Sequence, residues 1–98
     1  TAKAWLKGSY SGGIPVADQA YNVSSLGDLG SGGVQMNFSA NMSGANYCVI
    51  GSAQYAGAGY VLAPVTYNAA NLTFVTFHNT TDSGTEVPFN VAIFDGTV

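Results

Sequence analysis

Charge is what this sequence has least of. Only 7% of its 98 residues are charged: two cations, Lys3 and Lys7, and five carboxylates, for a net charge of −3. Soluble domains usually carry roughly 25%. There is no arginine, and two lysines cannot neutralise a run of phosphates, so nucleic-acid binding by counterion release is excluded. A disordered acidic tail is excluded too, because such tails combine high charge with low hydrophobicity, whereas 47% of residues here are apolar. One cysteine, Cys48, allows no intrachain disulfide framework. With a single histidine, His78, it also allows no Cys/His zinc site within one chain. No metal or cofactor is expected. Long hydrophobic runs are missing as well: none approaches the ~20 residues of a bilayer-spanning helix, so no membrane insertion is expected. Thr1 is not an initiator methionine and Thr1 to Tyr10 holds no signal-peptide core. The chain is therefore expected to be an excised or processed piece of a longer polypeptide.

What the sequence does have is β patterning. Gly33 to Phe38 alternates, with Val34, Met36 and Phe38 on one face and Gln35 and Asn37 on the other. Val87 to Phe94 alternates with Val87, Phe89, Val91 and Ile93 inward, and Pro88 predicts that this strand starts at a sheet edge. Leu72 to His78 is rich in β-branched and aromatic residues. Asn46 to Ile50, bounded by Gly44 and Gly51, suits a strand covered on both faces, with Cys48 a small buried hydrophobe. Lys3 to Lys7, Tyr21 to Leu26 and Tyr60 to Val65 are weaker strand candidates. Between them lie glycine-bearing breaks at Gly12-Gly13, Gly30 to Gly33, Gly57 to Gly59 and Asp82-Ser83-Gly84. Ser39 to Asn46 reads as a long turn, and no window has helical spacing with a cap. About seven short strands at regular spacing predict an all-β fold, an antiparallel β-sandwich, with residues 1–98 as a single domain.

A sandwich of this size has a modest core. Several strands nevertheless carry apolar side chains on both faces, notably Asn46 to Ile50 and Leu72 to Val75. Soluble monomers seldom expose large apolar patches, and interface cores are depleted in charge, so association of identical chains is expected. The alternative is a densely packed monomer with a surface of Ser, Thr, Asn and Gly.

The opening Ala2-Lys3-Ala4-Trp5-Leu6 resembles the start of a C-terminal domain found in tail fibres and tailspikes of tailed bacteriophages. Tyr21-Asn22-Val23-Ser24-Ser25-Leu26 is similar to that family's next motif. A glycine-bearing turn (Gly27 to Gly33) and the Val-x-Phe-like strand Val34-Gln35-Met36-Asn37-Phe38 follow. Ala40 to Met42 with Ala45-Asn46-Tyr47 resembles its Ala-Met and Ala-Asn-Tyr signature, and Val91-Ala92-Ile93-Phe94 before Asp95-Gly96 resembles its closing strand. The matches are ordered along the whole chain. Two stretches depart: Lys7-Gly8-Ser9 stands where the family more often has an aromatic and Asn-Gly, and Tyr55 to Ala70 matches no family pattern. The resemblance implies a homotrimeric β tip at the distal end of a virion fibre, facing the bacterial surface. Its expected work is non-enzymatic recognition of a surface polysaccharide or lipopolysaccharide. The alternative is a structural trimerisation or capping domain without receptor contact.

Carboxylate chemistry has little material. Asp18, Asp28, Asp82, Glu86 and Asp95 lie mostly beside Gly or Ser, where Asp bonds its own backbone. Asp82 with Glu86 as a glycosidase pair, or His78 with Asp82 and a serine as a triad, would each need geometry that spacing does not demonstrate. His78 ends a strand and reads as a rim histidine; three copies on a trimer axis binding a metal is a remoter option. The ligand-binding candidates are loop aromatics and amides. Tyr55, Tyr60 and Tyr67 lie in or beside the unmatched segment, and His78 and Asn79, followed by Thr80 and Thr81, lie at a second loop. Tyrosine offers a flat apolar face and a hydroxyl at small entropic cost, which suits glycans; the alternative is packing against neighbouring subunits. Trp5 shares one strand face with Lys3 and Lys7, while Ala4 and Leu6 share the other. It is either a sugar-stacking platform flanked by cations or, more simply, part of a core or subunit interface with lysine stems beside it.

Overall fold

Two-residue turns set the frame. Gly12 and Gly13 both have positive φ (59° and 81°), the pairing that a tight hairpin turn needs to match strand twist. They join strand β1 (Ala4–Ser11) to β2 (Ile14–Tyr21). Gly30, Ser31 and Gly32 are also left-handed and join β3 (Val23–Gly30) to β4 (Gly33–Phe38). The other strands are β5 (Cys48–Ala53), β6 (Tyr60–Tyr67), β7 (Asn71–His78) and β8 (Phe89–Phe94). A computed structural model of the chain describes residues 2–54, 59–78 and 84–96. Among these the fold is all-β: one antiparallel sheet ordered β2-β1-β8-β5 and a second ordered β3-β4-β7-β6.

The core lies between the two central strand pairs. Ala4 and Leu6 of β1 and Phe89, Val91 and Ile93 of β8 face Val34, Met36 and Phe38 of β4 and Leu72 and Phe74 of β7; all are buried. Alternation in β4, β7 and β8 follows the period of two that their sequences carry. The residues 39–47 form no strand, and Met42 and Tyr47 from this stretch close one end of the core.

Several expectations need correction. The described residues form eight strands; β2, which the sequence did not signal, carries no alternating apolar pattern, since seven of its eight residues are exposed or half-buried at a sheet edge. Tyr21 to Leu26 is not one strand, because Asn22 takes φ 58° and turns the chain from one sheet to the other. Its side-chain amide donates to the carbonyls of Lys3 (3.0 Å) and Ala40 (3.1 Å), and its oxygen accepts from the Ala40 amide (2.7 Å). The expected turn from Gly27 to Gly33 narrows to Gly30–Gly33, and Gly27 to Leu29 stay in β3. β8 is interior rather than at an edge. Pro88 precedes its first paired residue, so its missing N–H costs the sheet nothing, and its carbonyl accepts from the Gln54 amide at 2.6 Å.

The run through β5 is not covered on both faces. Val49 points to the core, and the period of two then sends Cys48 and Ile50 outward, so Cys48 is exposed. Gly51 lies inside β5 instead of bounding it: a Cβ there would come within 2.8 Å of the Leu62 side chain.

Candidate functional site

The outer face of the first sheet gathers exposed aromatic and apolar side chains. Strand register aligns Tyr21, Trp5, Ala92 and Ile50 in one row across β2, β1, β8 and β5. Ala4 and Leu6 are buried, so the pleat turns Trp5 outward, where it is 37% exposed; Ile50 is 60% exposed. The next row is Lys7, Asn90 and Ser52. Trp5, Lys7, Ile50, Ser52, Asn90 and Ala92 line a shallow groove of about 340 Å³. The Lys7 ammonium donates to Gln54 Oε1 at 3.1 Å and has no carboxylate partner among the described residues. The groove thus combines a flat indole, an aliphatic wall, an amide, a hydroxyl and a cation that no described carboxylate offsets. Its floor is hydrogen-bonded sheet. The core option for Trp5 is overturned by the pleat; a platform and a subunit interface both remain compatible with its exposure.

The other candidates do not converge on this groove. Tyr60 and His78 are register partners at the opposite sheet, with rings in edge-to-face contact at 4.9 Å. Tyr67 sits at the far end of β6, about 23 Å from Tyr60 along seven extended residues, and packs on Tyr47 with centroids 5.3 Å apart. The Tyr47 hydroxyl donates to the Asn68 carbonyl (2.8 Å) and accepts from the Asn68 amide (3.2 Å), so this pair knits the 39–47 segment to the β6–β7 turn. Burial pushes the Tyr47 phenol above its ordinary pKa. Tyr55 and Asn79, with Thr80, Thr81 and Asp82, lie outside the described residues.

A polar cleft of about 490 Å³ opens where β2 passes to β3, lined by Lys3, Tyr21, Asn22, Ala40, Asn41, Met42 and Asp95. Asp95 was expected to bond its own turn. It instead accepts from the amide and hydroxyl of Ser43 (2.7 and 2.8 Å), 52 residues away, which clasps the 39–47 segment to the end of β8. Those two bonds from Ser43, backbone first, hold its carboxyl below the usual range, and Lys3 adds to the effect. No local motif in the sequence announces such a contact. Asp28 does behave as expected, accepting from the Gly30 amide at 2.9 Å.

At the other end of the sandwich the Tyr10 hydroxyl is enclosed, with only a loose approach to the Thr76 hydroxyl, which is itself turned to the Thr85 carbonyl. Burial, with Glu86 and Asp28 adding negative charge nearby, pushes its pKa up to about 12. Among the described residues no cluster of three His, Cys, Asp or Glu side chains could hold a metal ion, and no helix is long and apolar enough to cross a membrane. No protein-family model, curated protein or solved structure matches this chain.

Proposed function

We propose that this chain is the receptor-binding tip of a phage tail fibre or tailspike. In this reading it works as a homotrimer in the virion and recognises a bacterial surface polysaccharide or lipopolysaccharide without chemistry. The ordered motif resemblance supports the family reading. One structural observation carries the recognition reading: an exposed aromatic row, Tyr21 and Trp5, on a stiff and nearly uncharged sheet. Binding surfaces on such scaffolds lose little entropy when they engage a ligand, and repeated copies on a particle turn weak sites into useful avidity.

The homotrimer is supported by the second sheet. Register pairs Val61 with Phe77 and Ala63 with Val75 on its outer face, and Val65 is 63% exposed. This apolar, uncharged corner is of the kind that identical chains cover. Pro64 and the irregular register beside it keep the β6 edge from extending the sheet into a neighbour, so contact by faces is favoured over contact by edges.

Mass measurement by light scattering at micromolar concentration, with retention on host cells or a bacterial glycan array, tests both parts. A trimer that binds is expected. A trimer that binds no bacterial surface or glycan would instead be the capping domain, and a stable monomer would remove the trimer reading.

A further inference from the structure

We propose that the groove beside Trp5 is a subsite for an acidic saccharide. One sugar ring lies on the indole and its carboxylate is taken by Lys7. This deepens the glycan-recognition reading above and rests on it.

The chemistry is specific to this face. A pyranose has an apolar side formed by its C–H groups and a rim of hydroxyls. An exposed indole matches the first; the Asn90 amide and Ser52 hydroxyl, in the adjacent row, match the second. The groove's volume, about 340 Å³, is at the low end of the range for small-ligand sites. Charge selects the ligand class. The chain has two cations against five carboxylates. Lys3 faces the field of Asp95, whereas Lys7 has, among the described residues, only the neutral Gln54 amide as partner. A ligand carboxylate at Lys7 would meet the one lysine charge that no described carboxylate offsets. A neutral sugar would leave that ammonium with Gln54 and solvent and gain only the stacking contact.

The chain's single tryptophan makes the test direct. Indole emission of the intact protein is titrated with galacturonic-acid oligomers and with sialyllactose, using maltose oligomers as the neutral control. The acidic sugars are expected to perturb the emission saturably, with affinity falling as salt rises. Lys7→Gln should weaken them roughly tenfold and Lys7→Arg should largely restore them; Trp5→Leu, which has no indole to report and is followed by titration calorimetry with the same sugars, should abolish binding with folding retained by circular dichroism. Equal response to maltose oligomers, or indifference to Lys7→Gln, overturns the acidic assignment. If Trp5→Leu still binds host cells as the parent does, the groove is not the site, although the receptor-binding tip survives. Blue-shifted emission that depends on protein concentration would make this face a subunit interface and end the proposal.

Discussion

Adding one methyl group to Gly8 should damage this fold more than most surface changes. A Cβ at that position would lie 2.3 Å from Cε2 and 2.4 Å from Cζ of Phe89, and 3.1 Å from the Val16 carbonyl. The Phe89 ring cannot swing clear: it is fully buried, in edge-to-face contact with Tyr10 (5.9 Å) and Phe74 (5.1 Å). The other neighbour is backbone of β2, and Gly8 sits where the β1–β2 register shifts. Overpacking of a dense core costs about 1–3 kcal/mol, and Gly8→Ala should fall at or above the upper end because neither neighbour can yield. Urea unfolding at one fixed protein concentration measures it, since association would otherwise move the midpoint. Phe89→Leu removes the clashing ring edge at a cost of its own. The double variant Gly8→Ala/Phe89→Leu should therefore lose clearly less than the sum of the single losses, a coupling of at least about 1 kcal/mol. Additive losses, or a Gly8→Ala protein as stable as the parent, would refute the steric account of this glycine.

Two further expectations concern titration. The Tyr10 phenol, raised to about 12 from an ordinary 10.0, is held neutral by the fold; its contribution is complete below pH 10 and is lost as pH rises through about 12. Tyr10→Phe should be near neutral or slightly stabilising at pH 7, since an enclosed and poorly paired hydroxyl is removed, and should flatten the alkaline loss of stability in pH-dependent urea unfolding. Asp95 has the opposite sign. Its carboxyl lies below the ordinary 3.8, so the Ser43 clasp stabilises above that pH and is released as the solution is acidified through the depressed value. Asp95→Asn should shrink the acid-limb loss of stability and speed amide exchange in the 39–47 segment; unchanged exchange there would refute the clasp.

The strands that alternate cleanly were legible from residue order. Val34, Met36 and Phe38, and likewise Phe89, Val91 and Ile93, declare their buried face through a period of two, and the structure buries all six. The paired glycines at 12 and 13 declared a break in the chain for an equally local reason, because few other residues accept two successive left-handed conformations; that the break is a hairpin into β2 was not legible. Edge strands declare themselves poorly. β2, with most of its side chains in water, has no burial pattern to display.

The candidate site was legible only as a list of suitable side chains. That Trp5 shares a face with Lys7 follows from strand parity within five residues. Which face it is, and that Asn90, Ser52 and Ile50 stand beside it, depends on β8 pairing with β1 and β5 pairing with β8, which brings residues more than forty positions from Trp5 to its side. The same distance hid the Asp95–Ser43 clasp, whereas Tyr60 and Tyr67 stand at opposite ends of β6 simply because seven extended residues separate them. Local chemistry thus determined the β character, the turns and the inward-facing residues. Sheet order and register, set by which apolar faces bury each other best across the whole chain, decided which polar and aromatic groups share a surface.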